Sequence, residues 1–266
     1  MCKCELCLQE KQLKRSHLIS KLFFNFMKKN SPTGGIRDIN IPNRRIQDGQ
    51  KVPLLCHECE EKLSKYETFF SKNYYNSLSF DKGVIDTNND HLRYFVLSLH
   101  WRSLLWNSIQ DDVLMNSMSE KEKEVFFKVL EKWRSSLYSE NYEILRSIKM
   151  KIIPTHNLEG IYGLKNFFTK NVLFDFRFQS ETDSFKFAIS YIQVPNFIFI
   201  CEVWGDFPKM KQFTIGKRIS FPKRVSFPDE LKFIFDRNIN EALKSIDKIT
   251  PKQRELLLNK AKESHK

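Results

Sequence analysis

Two different hydrophobic periods divide the chain. Between about residues 91 and 150, apolar side chains recur every three to four positions, which is the spacing of helices with one buried face. From about residue 165 to 220 apolar and polar positions alternate, as in the stretch from Val172 to Phe178, and this period is typical of strands. A helical period returns over residues 228–264. The order of these periods predicts an α+β fold with an antiparallel sheet between helical regions.

Several individual elements can be placed within these regions. The first strongly apolar helix is centred on Trp101, and its neighbours His100 and Arg102 either form a polar contact in a groove or pack between helices. A second helix runs from Glu120 to Tyr138 with Ser119 as its N-cap. Further strands are predicted at Phe185–Phe187, Phe197–Val203 and Phe213–Ile215, and further helices at Pro228 to about Asp247 and from Thr250–Pro251 onward.

The first eighty residues have a different organisation. A short helical period covers Leu22 to Met27, and a longer one starts near Glu58. Between them, Lys28 to Pro53 is rich in proline and glycine and reads as loop or short hairpin. The stretch from Asp81 to Asp90 is the predicted boundary. We therefore divide the chain into a module of residues 1–80 and an α+β domain of residues 81–266.

Composition indicates a folded protein. Hydrophobic residues make up 41% of the 266 and aromatic residues 14%, which excludes a mainly disordered chain. Five of the six cysteines lie close together near the N-terminus, a clustering that favours metal binding in a reducing cytosol over a secreted disulfide framework. No signal peptide is visible, and the most apolar run, Val194 to Trp204, is too short to span a bilayer. We expect a soluble cytoplasmic protein.

The net charge of +12 is concentrated at the two ends of the chain. Residues 1–80 contain 14 Lys and Arg against 8 Asp and Glu, and residues 207–266 contain 15 against 7. Such basic ends could bind nucleic-acid phosphates, or they could be ordinary solvated surface. The expected phosphate contacts in the N-terminal module are Lys14, Arg15, Arg44 and Arg45.

Two C-x-x-C pairs carry the strongest chemical signal. Cys4 and Cys7 form the first pair, and Cys56 and Cys59 form the second. Each pair can place two sulfur atoms on one side of the tetrahedron that Zn²⁺ prefers, so together they predict a structural zinc site. The 48 residues between the pairs require the two halves to fold together around an insertion.

The residues around these pairs resemble a known nuclease family. The order is C-x-x-C, then Ser16-His17, then a second C-x-x-C that is followed by Glu60 and opens a helix. It resembles HNH or ββα-metal nucleases over about residues 1–75, most closely their four-cysteine treble-clef branch of the phage endonuclease VII type. The resemblance implies a metal-dependent endonuclease acting on DNA, within a bacterial defence or mobile-element system.

The resemblance also implies roles for individual residues. His17 would be the general base, because an imidazole titrates near neutral pH. Glu60 would hold a catalytic Mg²⁺ or Mn²⁺, and Glu67, two helical turns further on, would be an additional ligand or support one. The chain departs from the family by carrying Ser16 where Asp is common and Ser64 where many members have a second His.

Other interpretations remain open at this point. A catalytically inert zinc module that binds nucleic acid or a protein partner is the main alternative, with His17 hydrogen-bonded inside the fold. A strand-rich ligand sensor is a third. His57, between two cysteines, is expected to face solvent or a phosphate and not the zinc. The sequence has no P-loop and no G-x-G-x-x-G fingerprint, so nothing indicates a nucleotide-driven motor or a dehydrogenase.

Overall fold

A computed structural model of the chain describes residues 2–31, 34–76, 84–155, 167, 171–179, 187–208, 210–220 and 226–263. The strands are β1 (Cys2–Lys3), β2 (Glu10–Lys11), β3 (Leu13–His17), β4 (Ile36–Arg37), β5 (Arg45–Ile46), β6 (Lys51–Cys56), β7 (Val84–Asp86), β8 (Met150–Pro154), β9 (Leu173–Gln179), β10 (Phe187–Val194), β11 (Phe197–Gly205) and β12 (Arg218–Ser220). The helices are α1 (Lys21–Lys29), α2 (His57–Phe70), α3 (Asp90–Gln110), α4 (Asp112–Ser117), α5 (Glu120–Ser139), α6 (Tyr142–Ser147), α7 (Asp229–Asp247) and α8 (Pro251–Glu263). The mixed helix and sheet content confirms the α+β class.

Two short antiparallel strand pairs and a helix build the N-terminal module. Strands β1 and β2 pair around the first C-x-x-C, and β3 pairs antiparallel with β6 so that Leu13 lies opposite Cys56 and His17 opposite Lys51. Helix α2 begins at the residue that follows β6. The insertion predicted as loop or short hairpin contains α1 and the two-residue pair β4–β5. The ladder therefore holds the two halves of the module together across the insertion.

The long apolar helix α3 lies at the centre of the molecule. Its side chains are buried around nearly its whole circumference for residues 94–104. It packs on α2 through stacked rings, with Phe70 on Phe95 at 4.1 Å between centroids and Tyr66 on Tyr94 at 3.7 Å. Buried apolar residues from Cys4 to Ile239 form one continuous cluster. The hydrophobic core therefore extends across the predicted boundary at residues 81–90.

A four-stranded antiparallel sheet, in the order β8-β11-β10-β9, covers α3. Alternation predicted β9, and the apolar run Phe197–Val203 predicted β11, whereas β8 and most of β10 were missed. The predicted strand at Phe213–Ile215 is wrong: a single 3-10 turn occupies Lys211–Phe213, and only Thr214 bridges to Lys151. Gly216 follows with φ of 106°, so the chain turns away before a strand can form. Of the predicted strand at residues 185–187, only Phe187 is described, and it begins β10.

The predicted helix ends are confirmed where they are described. Ser119 accepts from the Glu122 amide and Glu122 reaches back to the Ser119 amide, which makes a capping box at the start of α5. Helix α7 ends at Asp247 as expected, and α8 begins at Pro251 with Thr250 before it. No helix within the described part of the chain is both long enough and apolar enough to cross a bilayer.

Candidate metal centre and the neighbouring histidine

The four predicted cysteines meet at one point. Their sulfur atoms all lie within 4.8 Å of one another, and Cys7 Sγ lies 3.9 Å from Cys56 Sγ. Four sulfurs at Zn–S distances of about 2.3 Å stand about 3.8 Å apart in a tetrahedron, so the arrangement fits a zinc ion. None of these thiols forms a disulfide. The donor set is four soft thiolates, and it fits zinc better than a hard cation.

Local backbone structure explains why the sulfurs converge. After Cys4 the chain turns back, with the Leu8 amide donating to the Cys4 carbonyl at 2.8 Å and Leu8 itself at φ of 61°. Cys56 ends β6, and Cys59 lies in the first turn of α2. The Cys56 amide donates to Cys4 Sγ at 3.3 Å, a contact that stabilises negative charge on the sulfur.

Burial affects the protonation of the second pair of cysteines. It raises the pKa of Cys56 to about 11 and also raises the pKa of Cys59. In the absence of metal both thiols therefore keep their protons at neutral pH. Because zinc binds the thiolate form, metal binding must release protons, and metal affinity should fall as the pH is lowered.

A residue of helix α5, outside the N-terminal module, supports the metal centre. Arg134 of α5 donates from Nη1 to the Leu6 carbonyl at 2.8 Å, inside the first C-x-x-C, and it is also paired with Glu131. No local pattern predicts this contact, because the two partners are 128 positions apart in the chain. The contact holds the first cysteine pair against the helical region.

His17 lies at the end of β3 that is remote from the metal centre. Its Nε2 is 3.0 Å from Asp48 Oδ2, and Lys51 Nζ is 2.7 Å from the same oxygen. The ring N–H direction is not well aligned with that oxygen, so we treat the pair as a close polar contact and not as a strong hydrogen bond. The His17 side chain is 18% exposed although Nε2 is buried, so the exposed part of the ring lies elsewhere.

The Asp48 carboxylate is stabilised in its ionised form. Burial by itself would raise the pKa of Asp48, but the adjacent Lys51 ammonium and His17 imidazole, together with the Gly49 amide that donates to Asp48, outweigh burial and lower the pKa to about 2. Asp48 therefore carries a negative charge beside the imidazole at any pH near neutrality. Sequence analysis did not single out Asp48, which lies in a turn 31 positions after His17.

The Arg102 side chain ties the histidine strand to α2 and α3. Arg102 is buried on α3 and donates from Nη1 to the His17 carbonyl and from Nη2 to Glu67 Oε1, both at 2.8 Å. Its Nε donates to the Ser98 carbonyl of its own helix. The other Glu67 oxygen accepts from Ser20 Oγ at 2.8 Å. Both Glu67 oxygens thus have protein partners, which leaves this carboxylate poorly placed to bind a metal ion.

The predicted hard-cation ligands do not gather into one cluster. Glu60 is half-buried in the first turn of α2 and has no ion pair or side-chain hydrogen bond among the described residues. Over that same part of the chain, the four cysteines are the one group of three or more His, Cys, Asp or Glu whose ligand atoms lie close enough for one ion. His17, Glu60 and Glu67 therefore do not form an all-protein Mg²⁺ or Mn²⁺ site.

The remaining candidate residues lie on the surface. Lys14 and Arg15 are both exposed because the β3–β6 register shifts between them, and Arg44 and Arg45 are exposed in the insertion. Arg45 also donates to the Gly34 carbonyl at 2.7 Å. His57 is 63% exposed and lies 3.4 Å from Glu61, so it points away from the sulfurs. These positions leave the basic residues accessible to a polyanion.

No family model, no curated protein and no solved structure matches this chain.

Proposed function

We propose that this protein is an endonuclease that hydrolyses phosphodiester bonds, with His17 as the general base. The observation that carries the proposal is the contact between His17 and the ionised Asp48, at one end of the β3–β6 strand pair, whose other end lies at the four-cysteine centre. The resemblance to HNH nucleases, which implies a base at His17, supports the same proposal. The proposed substrate is DNA, and the free thiols of the metal centre suit a reducing cytoplasm.

The proposal gives each residue near His17 a role in hydrolysis. Nε2 of His17 lies against the Asp48 carboxylate, and Nδ1 is the atom proposed to accept a proton from water. The resulting hydroxide attacks phosphorus, the bond from phosphorus to the leaving sugar oxygen breaks, and that oxygen takes a proton from solvent. Arg102 fixes the strand that carries His17 through the His17 carbonyl. His17 is the proposed catalytic residue, and Asp48 and Arg102 are positioning residues.

Glu60 is the residue that would hold a catalytic divalent cation. A divalent cation, when bound, would neutralise charge on the phosphate. Glu60 is the one predicted carboxylate without a protein partner in the described part of the chain, and Mg²⁺ often takes only one or two carboxylates together with substrate phosphates. Dependence on Mg²⁺ or Mn²⁺ is therefore part of the test, and we assign no step to a metal.

Nicking of a supercoiled plasmid tests this proposal. The zinc-loaded protein is incubated with plasmid or branched DNA in Mg²⁺, Mn²⁺ or EDTA. We expect His17→Ala to lower the cleavage rate by about 10²–10⁴-fold, the usual contribution of a general base, with zinc content unchanged. His57→Ala is the matched control, because that histidine is exposed and should leave cleavage intact. Equal cleavage by wild type and His17→Ala would show that the base lies elsewhere.

A second function is favoured by a specific observation. Both Glu67 oxygens are held by protein donors and the predicted hard-cation ligands are not clustered. A catalytically inert zinc module that binds nucleic acid or a partner protein would have this arrangement. It predicts DNA or partner binding without nicking in any of the three metal conditions, and an effect of His17→Ala on stability or binding alone.

A further inference from the structure

One side chain of the insertion connects the two basic ends of the protein. Asn43 Nδ2 donates to the Lys248 carbonyl at 2.9 Å, and the Thr250 amide donates to Asn43 Oδ1 at 2.9 Å. These partners lie in the turn between α7 and α8, more than 200 positions further along the chain. Because the amide uses both its donor and its acceptor on consecutive parts of the turn, it fixes the turn against the insertion.

The residues on either side of this contact are basic and exposed. Arg44 follows Asn43 directly, and Lys248, Lys252 and Arg254 lie in and just after the turn. None of these four cations forms an ion pair within the residues that the structure describes. Asp247 and Glu255 are the acidic residues of the segment 244–260, against five cations. The surface therefore carries a net positive charge that no described side chain neutralises.

Over residues 251–260, whose side chains the structure describes, helix α8 has no buried face. Its described positions are exposed or half-buried, including Leu256 and Leu258, so the helix is not held by the core. The segments 36–48 and 244–260 contain no aromatic residue. Single strands are usually held by bases stacked on aromatic rings, whereas duplexes are held mainly through phosphates. A basic surface without aromatic side chains therefore suits the phosphates of a duplex.

We propose that Arg44, Lys248, Lys252 and Arg254 form one phosphate-binding surface for duplex nucleic acid, assembled by Asn43 from the insertion and the α7–α8 turn. Neither segment alone presents all four cations, because Arg44 is far from the others in sequence. The inference goes beyond the proposed nuclease chemistry, since it requires binding only. It also gives the basic C-terminal end of the chain a part in the same interaction as the insertion.

The test measures binding separately from cleavage. Fluorescence anisotropy with a labelled DNA duplex is followed between about 50 and 200 mM salt, using His17→Ala protein as the common background so that no substrate is cut. Arg44→Ser with Lys252→Ser, one residue from each segment, should reduce the slope of log affinity against log salt by about two. Lys72→Ser with Lys132→Ser is the control, because both lysines are exposed, lie outside the two segments and form no ion pair among the described residues, so the variant removes the same charge.

Asn43→Ala tests whether the two segments act together. It changes no charge, so it should weaken duplex binding at every salt concentration while zinc content and circular dichroism stay the same. Single-stranded DNA should bind more weakly than the duplex, and a duplex RNA arm shows whether the sugar matters. The inference is overturned by a flat salt response, by equal slope changes in both double variants, by tighter binding of single strands, or by unchanged affinity of Asn43→Ala.

Discussion

Replacing Arg102 by Met tests how much the contact from α3 to His17 on β3 and to Glu67 on α2 contributes to the stability of the protein. The Arg102 guanidinium makes three described contacts, to the His17 carbonyl, to Glu67 and to Ser98. Met fills most of the volume of the aliphatic stem but donates no hydrogen bond. The variant would leave the Glu67 carboxylate with Ser20 as its described partner and without a compensating positive charge.

The magnitude follows from the burial of the pair. The Arg102 side chain is 2% exposed and that of Glu67 is 22% exposed. Removing one partner of a buried ion pair typically costs about 3–5 kcal/mol, because a charge is left uncompensated. Water reaches part of Glu67, so we expect Arg102→Met to lower the free energy of unfolding by about 2–4 kcal/mol. Adding Glu67→Gln to Arg102→Met removes the uncompensated negative charge. The double variant should therefore have a free energy of unfolding about 1 kcal/mol or more above that of Arg102→Met.

Urea unfolding of the zinc-loaded protein, followed by circular dichroism and tryptophan fluorescence, measures these differences. Arg237→Met is the matched control, because Arg237 forms a surface pair with Glu241 in which both side chains are nearly half exposed. Arg237→Met should lower the free energy of unfolding by less than about 1 kcal/mol. A cost of Arg102→Met no greater than that of Arg237→Met would refute the reasoning, as would a double variant less stable than Arg102→Met.

Two further predictions concern the metal centre and Asp48. Elemental analysis should find one zinc per chain in the wild type, and a zinc-free wild type would contradict this. The zinc and the fold of the N-terminal module should both be lost in Cys4→Ser, Cys7→Ser, Cys56→Ser or Cys59→Ser. The control Cys2→Ser should keep the zinc, because the Cys2 thiol is exposed. The pKa of Asp48, about 2, lies below the ordinary value near 3.8, so its contribution of about 1–2 kcal/mol should be complete above pH 4 and lost as the pH falls from 4 to 2. Asp48→Asn should flatten that part of the acid unfolding curve, and an unchanged curve would show that the carboxylate is not stabilised.

Much of the fold could be predicted because its signals are local. The C-x-x-C pairs have a spacing that only a few structures require, and the capping box at Ser119 is a four-residue pattern. The strands β9, β10 and β11 contain long apolar or alternating runs. Strand β8 lacks this signal: it has five buried residues, and one of them, Lys151, is paired with Glu202 inside the protein. Because a charged lysine interrupts this short apolar run, the hydrophobic pattern does not predict a buried strand there.

The surroundings of His17 could not be predicted for a different reason. Asp48 approaches the imidazole only because the β3–β6 register places His17 beside the turn before β6. Arg102 is one charged residue within an apolar helix, and its partners are 35 and 85 positions away. Its sequence position allowed either a polar contact in a groove or packing between helices, and its burial confirms that it is packed. Contacts of this kind depend on tertiary structure, which a local pattern does not encode.

The most direct test of the central proposal is chemical rescue of the His17 position. Single-turnover nicking of supercoiled plasmid is measured for wild type and for His17→Gly, with zinc content checked in both, and imidazole is then added in increasing concentration. If His17 is the general base, the cleavage rate of the variant is lower than that of wild type by about 10²–10⁴-fold. Added imidazole then restores part of the rate in proportion to its concentration. A variant that cleaves as fast as wild type, or a wild type that never cleaves DNA with Mg²⁺ or Mn²⁺, would contradict the proposal.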